Sequence, residues 1–181
     1  MNRSVISAAL VLIALGSVCQ AGDWREKLTK ELPLFGHRNW IVIADAAYPA
    51  QSRAGIETIA TEADQLEVVK AVFAALGKCH HVRPVVFTDA ELKHVPEQYA
   101  SGITSYREEL GKLLSGLQVT EVPHEELIGR LDKAGETFRI MILKTKMTLP
   151  YTSVFIQLDC GYWSPEAEKK LRQAMKAAAE K

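Results

Sequence analysis

Apolar and polar positions along this chain fall into two rhythms, short unbroken apolar runs and longer helical stripes. Runs at 40–44, 82–88, 117–122, 138–143 and 153–158 read as strands, and that at 40–44, aromatic, β-branched and nearly uncharged, reads as a buried one. A shorter β-like run occupies 55–61. Between the runs the apolar positions recur three and four apart. Leu28 and Leu32 share one face of a helix predicted over 23–34 and capped by Asp23. Over 62–76, Leu66, Val69, Phe73 and Leu76 form a stripe that Val68 and Val72 widen, and Gly77 ends it. The segment 96–114 is helical in parts, interrupted at Ser101-Gly102, with Ile103, Tyr106, Leu110 and Leu113 inward. Pro123 suits a first helical position with Glu125 and Glu126 in the first turn, and that helix runs to about residue 134 before Gly135. Ser164-Pro165-Glu166 opens a last helix with a thin apolar face at Leu171, Ala174 and Met175.

Strands alternating with helices predict an α/β domain of three layers, α/β/α, around a mostly parallel central sheet. The 181 residues suffice for a single domain with a sizeable core, and 48% of them are apolar. Twenty-two basic residues balance 22 acidic ones, so no charged field points to a nucleic-acid partner.

The N-terminus differs in kind. Arg3, the apolar stretch 5–16 and the small-residue region Cys19-Gln20-Ala21 have the layout of a secretory signal peptide. About 12 apolar residues are too few for an ordinary membrane span. An uncleaved anchor is the alternative, and a lipoprotein at Cys19 fits poorly because Val18 precedes it. The expected organisation is a signal peptide at 1–21, a domain at 22–163 and a C-terminal helix at 164–181. The mature chain would be secreted or periplasmic, without stable membrane insertion. Cleavage leaves Cys79 and Cys160; two unpaired or partly buried thiols are favoured over a disulfide. No Cys/His spacing resembles a zinc site.

Candidate chemistry sits at the ends of strands. His37 precedes the run 40–44 and Asp45 follows it, and open α/β sheets present ligand groups at strand ends. An Asp at that place also caps turns. His124 falls in the first turn of its helix, where the positive end of the dipole disfavours imidazolium. A neutral ring there donates and accepts hydrogen bonds; otherwise it is a solvent-facing histidine at a helix start. Tyr151 precedes the last strand, either as a site residue or as a half-buried aromatic. Asp89, Glu91 and His94 read as a solvated polar loop, Lys144 and Lys146 as surface lysines flanking Tyr151. His80 and His81 are adjacent and face opposite ways on a strand, which opposes joint metal binding.

The stretch Gly36-His37, Asp45-Ala46, Pro49 and Ser52 resembles the N-terminal signature of the D-ribose pyranase / L-fucose mutarotase family, and the likeness runs over about residues 24–163. Val122-Pro123-His124-Glu125-Glu126-Leu127 is similar to the Thr-His-Glu-Gln-Phe region of the ribose pyranases. Pro49-Ala50-Gln51-Ser52 is closer to the Pro-Ala-His-Ser of the fucose mutarotases. Where the family has Tyr-x-Asn, this chain has Tyr151-Thr152-Ser153. The resemblance implies an isomerase that interconverts anomers or ring forms of a free ribose- or fucose-class monosaccharide without metal or cofactor. It implies His37 and Asp45 as catalytic residues, and His124, Tyr151, Ser153 and Gln51 as substrate-binding residues. It also implies a ring-shaped homo-oligomer whose sites neighbouring subunits complete. Gln51 and Ser153 depart from the family pattern, and with the signal-like N-terminus they keep a second reading open: an exported, non-catalytic monosaccharide-binding relative.

Overall fold

The structure, a computed structural model, describes residues 23–180. The signal-peptide expectation at 1–21, with Cys19, lies outside the described residues. Helix α1, Trp24–Glu31, is capped by Asp23, whose carboxylate accepts from Arg25 N at 3.0 Å. After a 3-10 turn at Leu32–Leu34 come β1 (Trp40–Ala44), β2 (Ile56–Ala60), α2 (Gln65–Leu76), β3 (Val82–Asp89) and α3 (Ile103–Leu113). They are followed by β4 (Val119–Val122), α4 (His124–Ala134), β5 (Ile140–Lys144), β6 (Val154–Cys160) and α5 (Pro165–Ala179).

Two local expectations need correction. Helix α2 starts three residues later than 62, because Glu62 takes a left-handed φ of 51° and Asp64 is the cap, accepting from Leu66 N at 2.9 Å. Its buried face is Gln65, Val68, Val69, Val72 and Leu76, while Leu66 and Phe73 are only partly covered. Pro123 is the cap of α4 rather than its first residue, and its carbonyl accepts from Glu126 and Leu127.

The sheet order is β2-β5-β1-β6-β3-β4. β6 runs antiparallel to both its neighbours, β1 and β3; the other five strands share one direction. The side-chain period of two sends β1 to both faces. Ile41 and Ile43 enter a core with α1, α2 and α3; Trp40, Val42 and Ala44 enter a second core with Leu127 and Leu131 of α4. Each fully buried aliphatic side chain contributes about 1.5–3 kcal/mol, which is why the runs without charge become the sheet's centre. The result is the expected α/β/α layering.

α5 lies apart from this scheme. None of its residues is buried, and Leu171 and Met175 stay largely exposed. Cys79 and Cys160 are free thiols. Among the described residues no helix is long and apolar enough to cross a membrane.

Gly55 marks a close approach between backbones. A Cβ there would meet Phe138 O at 2.4 Å and Gly135 O at 2.5 Å. The Gly55 N–H also donates to Gly135 O, and its carbonyl accepts from Ile140 N. Gly55→Ala must therefore push the loop before β2 off the turn before β5. The expected cost is about 1–3 kcal/mol, read as a lower urea midpoint with an unchanged slope.

Candidate functional site

Because five strands share a direction, the carboxyl ends of β1, β3, β4 and β5 meet at one edge of the domain, together with the amino end of β6. Ligands of open α/β sheets bind outside such strand ends. The residues delivered there are Asp45 after β1, Asp89 at the end of β3, His124 one residue beyond Pro123 after β4, and Tyr151 and Ser153 before β6.

Asp45 is buried and held in a fixed orientation. Its Oδ1 accepts from Ala47 N at 2.9 Å and its Oδ2 from the Ser153 hydroxyl at 3.1 Å. An ionised carboxylate has about four lone-pair positions, so two remain for a ligand. Ser153 has no exposed surface. It acts on Asp45 rather than lining an opening. Gln51 is likewise one step back: its Oε1 accepts from the Tyr48 hydroxyl at 3.0 Å, and its amide reaches Ile128 O at 3.4 Å.

Tyr48 is the floor of the site. Its ring packs edge-on to His124, 6.1 Å between centroids, and against Phe155. Burial, helped by the charges of Asp89 and Asp45, pushes its hydroxyl above the ordinary phenol range, so it stays a neutral donor. Lys144 Nζ donates to the Tyr48 carbonyl at 2.8 Å and pins the loop that carries it. On the other side of His124 stands Tyr151, edge-on at 5.6 Å and 39% exposed. Its φ of 57° is a left-handed conformation that costs a non-glycine residue about 1 kcal/mol or more and occurs often at functional sites.

Behind the site lies a satisfied buried network. The amide of Gln65, with no exposed surface, donates to Thr152 O at 2.8 Å and Ile43 O at 3.3 Å, and its oxygen accepts from the Thr145 hydroxyl. The Tyr106 hydroxyl also donates to Thr152 O, at 2.7 Å. Helices α2 and α3 thereby set the height at which the Tyr151–Ser153 loop crosses the end of β1.

His124 does not behave as the helix start alone predicts. Its Nδ1 is 2.9 Å from Asp89 Oδ1, and both carboxylate oxygens of Glu91 accept from its backbone N–H at 3.1 Å. The hydrogen bond to Asp89 pushes the imidazole's pKa up; burial opposes this, and the charges of Asp89, Glu91 and Asp45 assist. The shift is upward, opposite to the direction that the helix start predicts. Asp89 and Glu91 are not the solvated loop the sequence suggests. Asp89 ends a core strand and is 1% exposed, with an Oδ2 that finds no hydrogen-bond partner among the described residues. Burial raises its pKa, and the bond to His124 opposes that rise. The signal that would have found it is its place: Val-Val-Phe-Thr-Asp repeats the strand-then-Asp pattern of Asp45.

His37 is the sequence candidate that this edge does not contain. Its Nε2 lies 3.6 Å from Asp159 Oδ1, at the far end of β6. Asp45 is held at Ser153, at the near end. Six residues of extended strand at about 3.3 Å each put the two groups roughly 20 Å apart. Asp45 therefore cannot orient His37 within one chain, because the five-residue strand between them keeps them at opposite ends. His37 is 58% exposed and lines a cleft of about 550 Å³ with Arg83, Trp163 and Arg172. Among the described residues no three His, Cys, Asp or Glu side chains are grouped to hold a metal ion. His81, one of the adjacent pair, is bonded through Nε2 to Phe35 O at 3.0 Å.

The pKa shift of His124 has a stability consequence. A basic group whose folded pKa lies above its unfolded value stabilises the fold fully below the unfolded pKa, near 6.5, and loses that contribution as pH rises through the folded value. The unfolding midpoint should fall as pH rises from about 6.5. His124→Gln should flatten that dependence, a comparison made by thermal scans across the pH series.

The family model described as "RbsD / FucU transport protein family" matches residues 25–161. Among solved structures, an RbsD of Bacillus subtilis complexed with D-ribose aligns with a TM-score of 0.51 and 21% identity, covering 85% of this chain and 98% of that one. A fucose mutarotase of Streptococcus pneumoniae in complex with L-fucose gives a TM-score of 0.50 and 19% identity, covering 74% and 91%. At these identities the likeness is one of fold. No curated protein matches the sequence.

Proposed function

The chain belongs to the RbsD / FucU transport protein family, and from that premise we propose that it interconverts anomers or ring forms of a free monosaccharide by cofactor-free acid/base catalysis. The single observation that carries this reading is the meeting of Asp45, His124 and Tyr151 at one sheet edge, all on fixed supports. The ribose and fucose bound by the two solved relatives support the substrate class.

The reaction needs little machinery. A base takes the proton of the anomeric hydroxyl while an acid protonates the ring oxygen; the ring opens, the aldehyde turns, and closure reverses the steps. Asp45 holds a sugar hydroxyl with its free lone pairs. His124 exchanges the proton. Tyr151 supplies an apolar face to the carbon skeleton and a hydroxyl for orientation. Ser153 and Gln51 act through Asp45 and Tyr48, so their departure from the family pattern changes the support of the site more than its contact surface. A positioned acid or base contributes about 10²- to 10⁴-fold.

His37 takes part only if a second copy brings it to this edge, which fits the ring-type homo-oligomer implied by the family resemblance. Mixing His37→Ala and Asp45→Ala chains checks this. Restored turnover in the mixture, with each variant inactive alone, supports a shared site; no restoration removes His37 from it. The reaction is placed outside the cytoplasm as part of the same proposal, on the layout of residues 1–21. A mature chain starting at Gly22, seen by mass spectrometry of the exported fraction, is the expected result.

The deciding experiment is saturation-transfer NMR between sugar forms with ribose, fucose and galactose. Faster exchange for one sugar supports the enzyme. Broadening of sugar lines without faster exchange supports a non-catalytic monosaccharide-binding relative. No effect with any sugar overturns both readings.

A further inference from the structure

We propose that Asp89 is the positioning residue for His124, holding the imidazole as its Nδ1–H tautomer so that Nε2 is the atom that passes the proton. This rests on the sugar-interconversion reading of the same site and assigns its proton-transfer group within a single chain.

The argument is geometric. Imidazole has two nitrogens, and in the neutral ring one donates while the other accepts. Nδ1 faces Asp89 Oδ1 at 2.9 Å, and a carboxylate only accepts there, so Nδ1 carries the hydrogen and Nε2 the lone pair. Asp89 cannot swing away to solvent, since its side chain has no exposed surface and it ends a strand paired on both sides. Nor can the histidine backbone shift easily, since Glu91 grips its N–H with both oxygens. Tyr48 and Tyr151 stand edge-on to the ring from two other segments and leave it little freedom to flip. A ring clamped on Nδ1, at the backbone and against two aromatics is pre-set for proton transfer at its remaining nitrogen. The same carboxylate–imidazole logic fixes the tautomer in hydrolase triads.

The charged and titratable groups around the ring all push one way. Asp89 from β3, Glu91 from the loop after it and Asp45 from the end of β1 each favour the protonated ring, and Tyr48 and Tyr151 are phenols. Asp89 bears the cost, a buried oxygen without a hydrogen-bond partner among the described residues. Such orphaned atoms are rare in native folds and call for an explanation; here the site gains a fixed proton carrier.

The test uses the full mature chain labelled with nitrogen-15 at histidine, with long-range imidazole spectra followed over pH. The wild-type ring is expected to titrate above an exposed histidine and, once neutral, to show a protonated Nδ1 and an unprotonated Nε2. In Asp89→Asn, which keeps the volume and removes the charge, the His124 titration moves down. Sugar exchange then falls at least about tenfold, mainly in kcat with KM little moved. A neutral wild-type ring, above its titration, that is protonated at Nε2 overturns the proposal even if the variant fails to fold. So does an unchanged His124 titration, or full exchange, in Asp89→Asn. Absence of exchange in the wild-type chain instead overturns the sugar reading, while the tautomer and the titration still report on Asp89.

Discussion

His124→Gln is expected to slow sugar interconversion by about 10²- to 10⁴-fold, which corresponds to about 2.7–5.5 kcal/mol of transition-state stabilisation. Glutamine keeps a donor that can reach Asp89 and a length close to that of histidine, but it has no proton to exchange near neutral pH. The loss should therefore fall on kcat. Asp45, and Tyr151 beside the ring, remain to hold the sugar, so KM should move little. Saturation transfer at several sugar concentrations separates the two constants. A variant with full kcat would remove His124 from the chemistry and leave turnover to Asp45.

Phe155→Ala is expected to cost about 3–5 kcal/mol, a large share of the 5–15 kcal/mol that holds a typical domain together. Phe155 has no exposed surface and sits mid-sheet on β6. Val42 of β1 and Phe87 of β3 flank it in register, and all three belong to the core beneath α4. β6 is the strand that joins the two halves of the sheet, so the void left by the ring cannot close by letting an edge strand slide. The Tyr48 ring, 6.2 Å from Phe155 between centroids, loses its backing at the same time. Urea unfolding gives the stability loss, and a parallel drop in sugar exchange would show that the floor of the site loosens with the core. Leu171→Ala on exposed α5 is the contrast, with an expected change within about 0.5 kcal/mol.

The candidate site was legible in the sequence where a residue's role follows from its neighbours in the chain. Asp45, His124 and Tyr151 each adjoin a strand, and the direction shared by β1, β3 and β4 carries them to one edge. The same reasoning, applied to the stretch before β1, already separates His37 from Asp45: residues at opposite ends of a straight strand cannot share a pocket in that chain. The likeness to the family placed them together and obscured this. Asp89 was missed because its sequence neighbours, Glu91 and His94, are polar. Its burial comes from β3 lying inside the sheet and from α4 arriving above it, neither of which composition reports.

The sequence by itself determined the alternation of strands and helices, the α/β class, the inward residues of the core strands and the helix caps at Asp23 and Ser164. These depend on periodicity and on groups within a few positions, and both are local. The tertiary structure alone decided that β6 enters antiparallel at the centre, that α2 turns Gln65 inward to tie β1 to the loops carrying Thr145 and Thr152, and that Ser153 serves Asp45. It also decided that His124 is bonded to Asp89 and surrounded by carboxylates from three segments. Those outcomes depend on distances between segments tens of residues apart. Desolvation and hydrogen bonding act over a few ångströms, so the state of a proton at this site is set by packing that no single segment encodes.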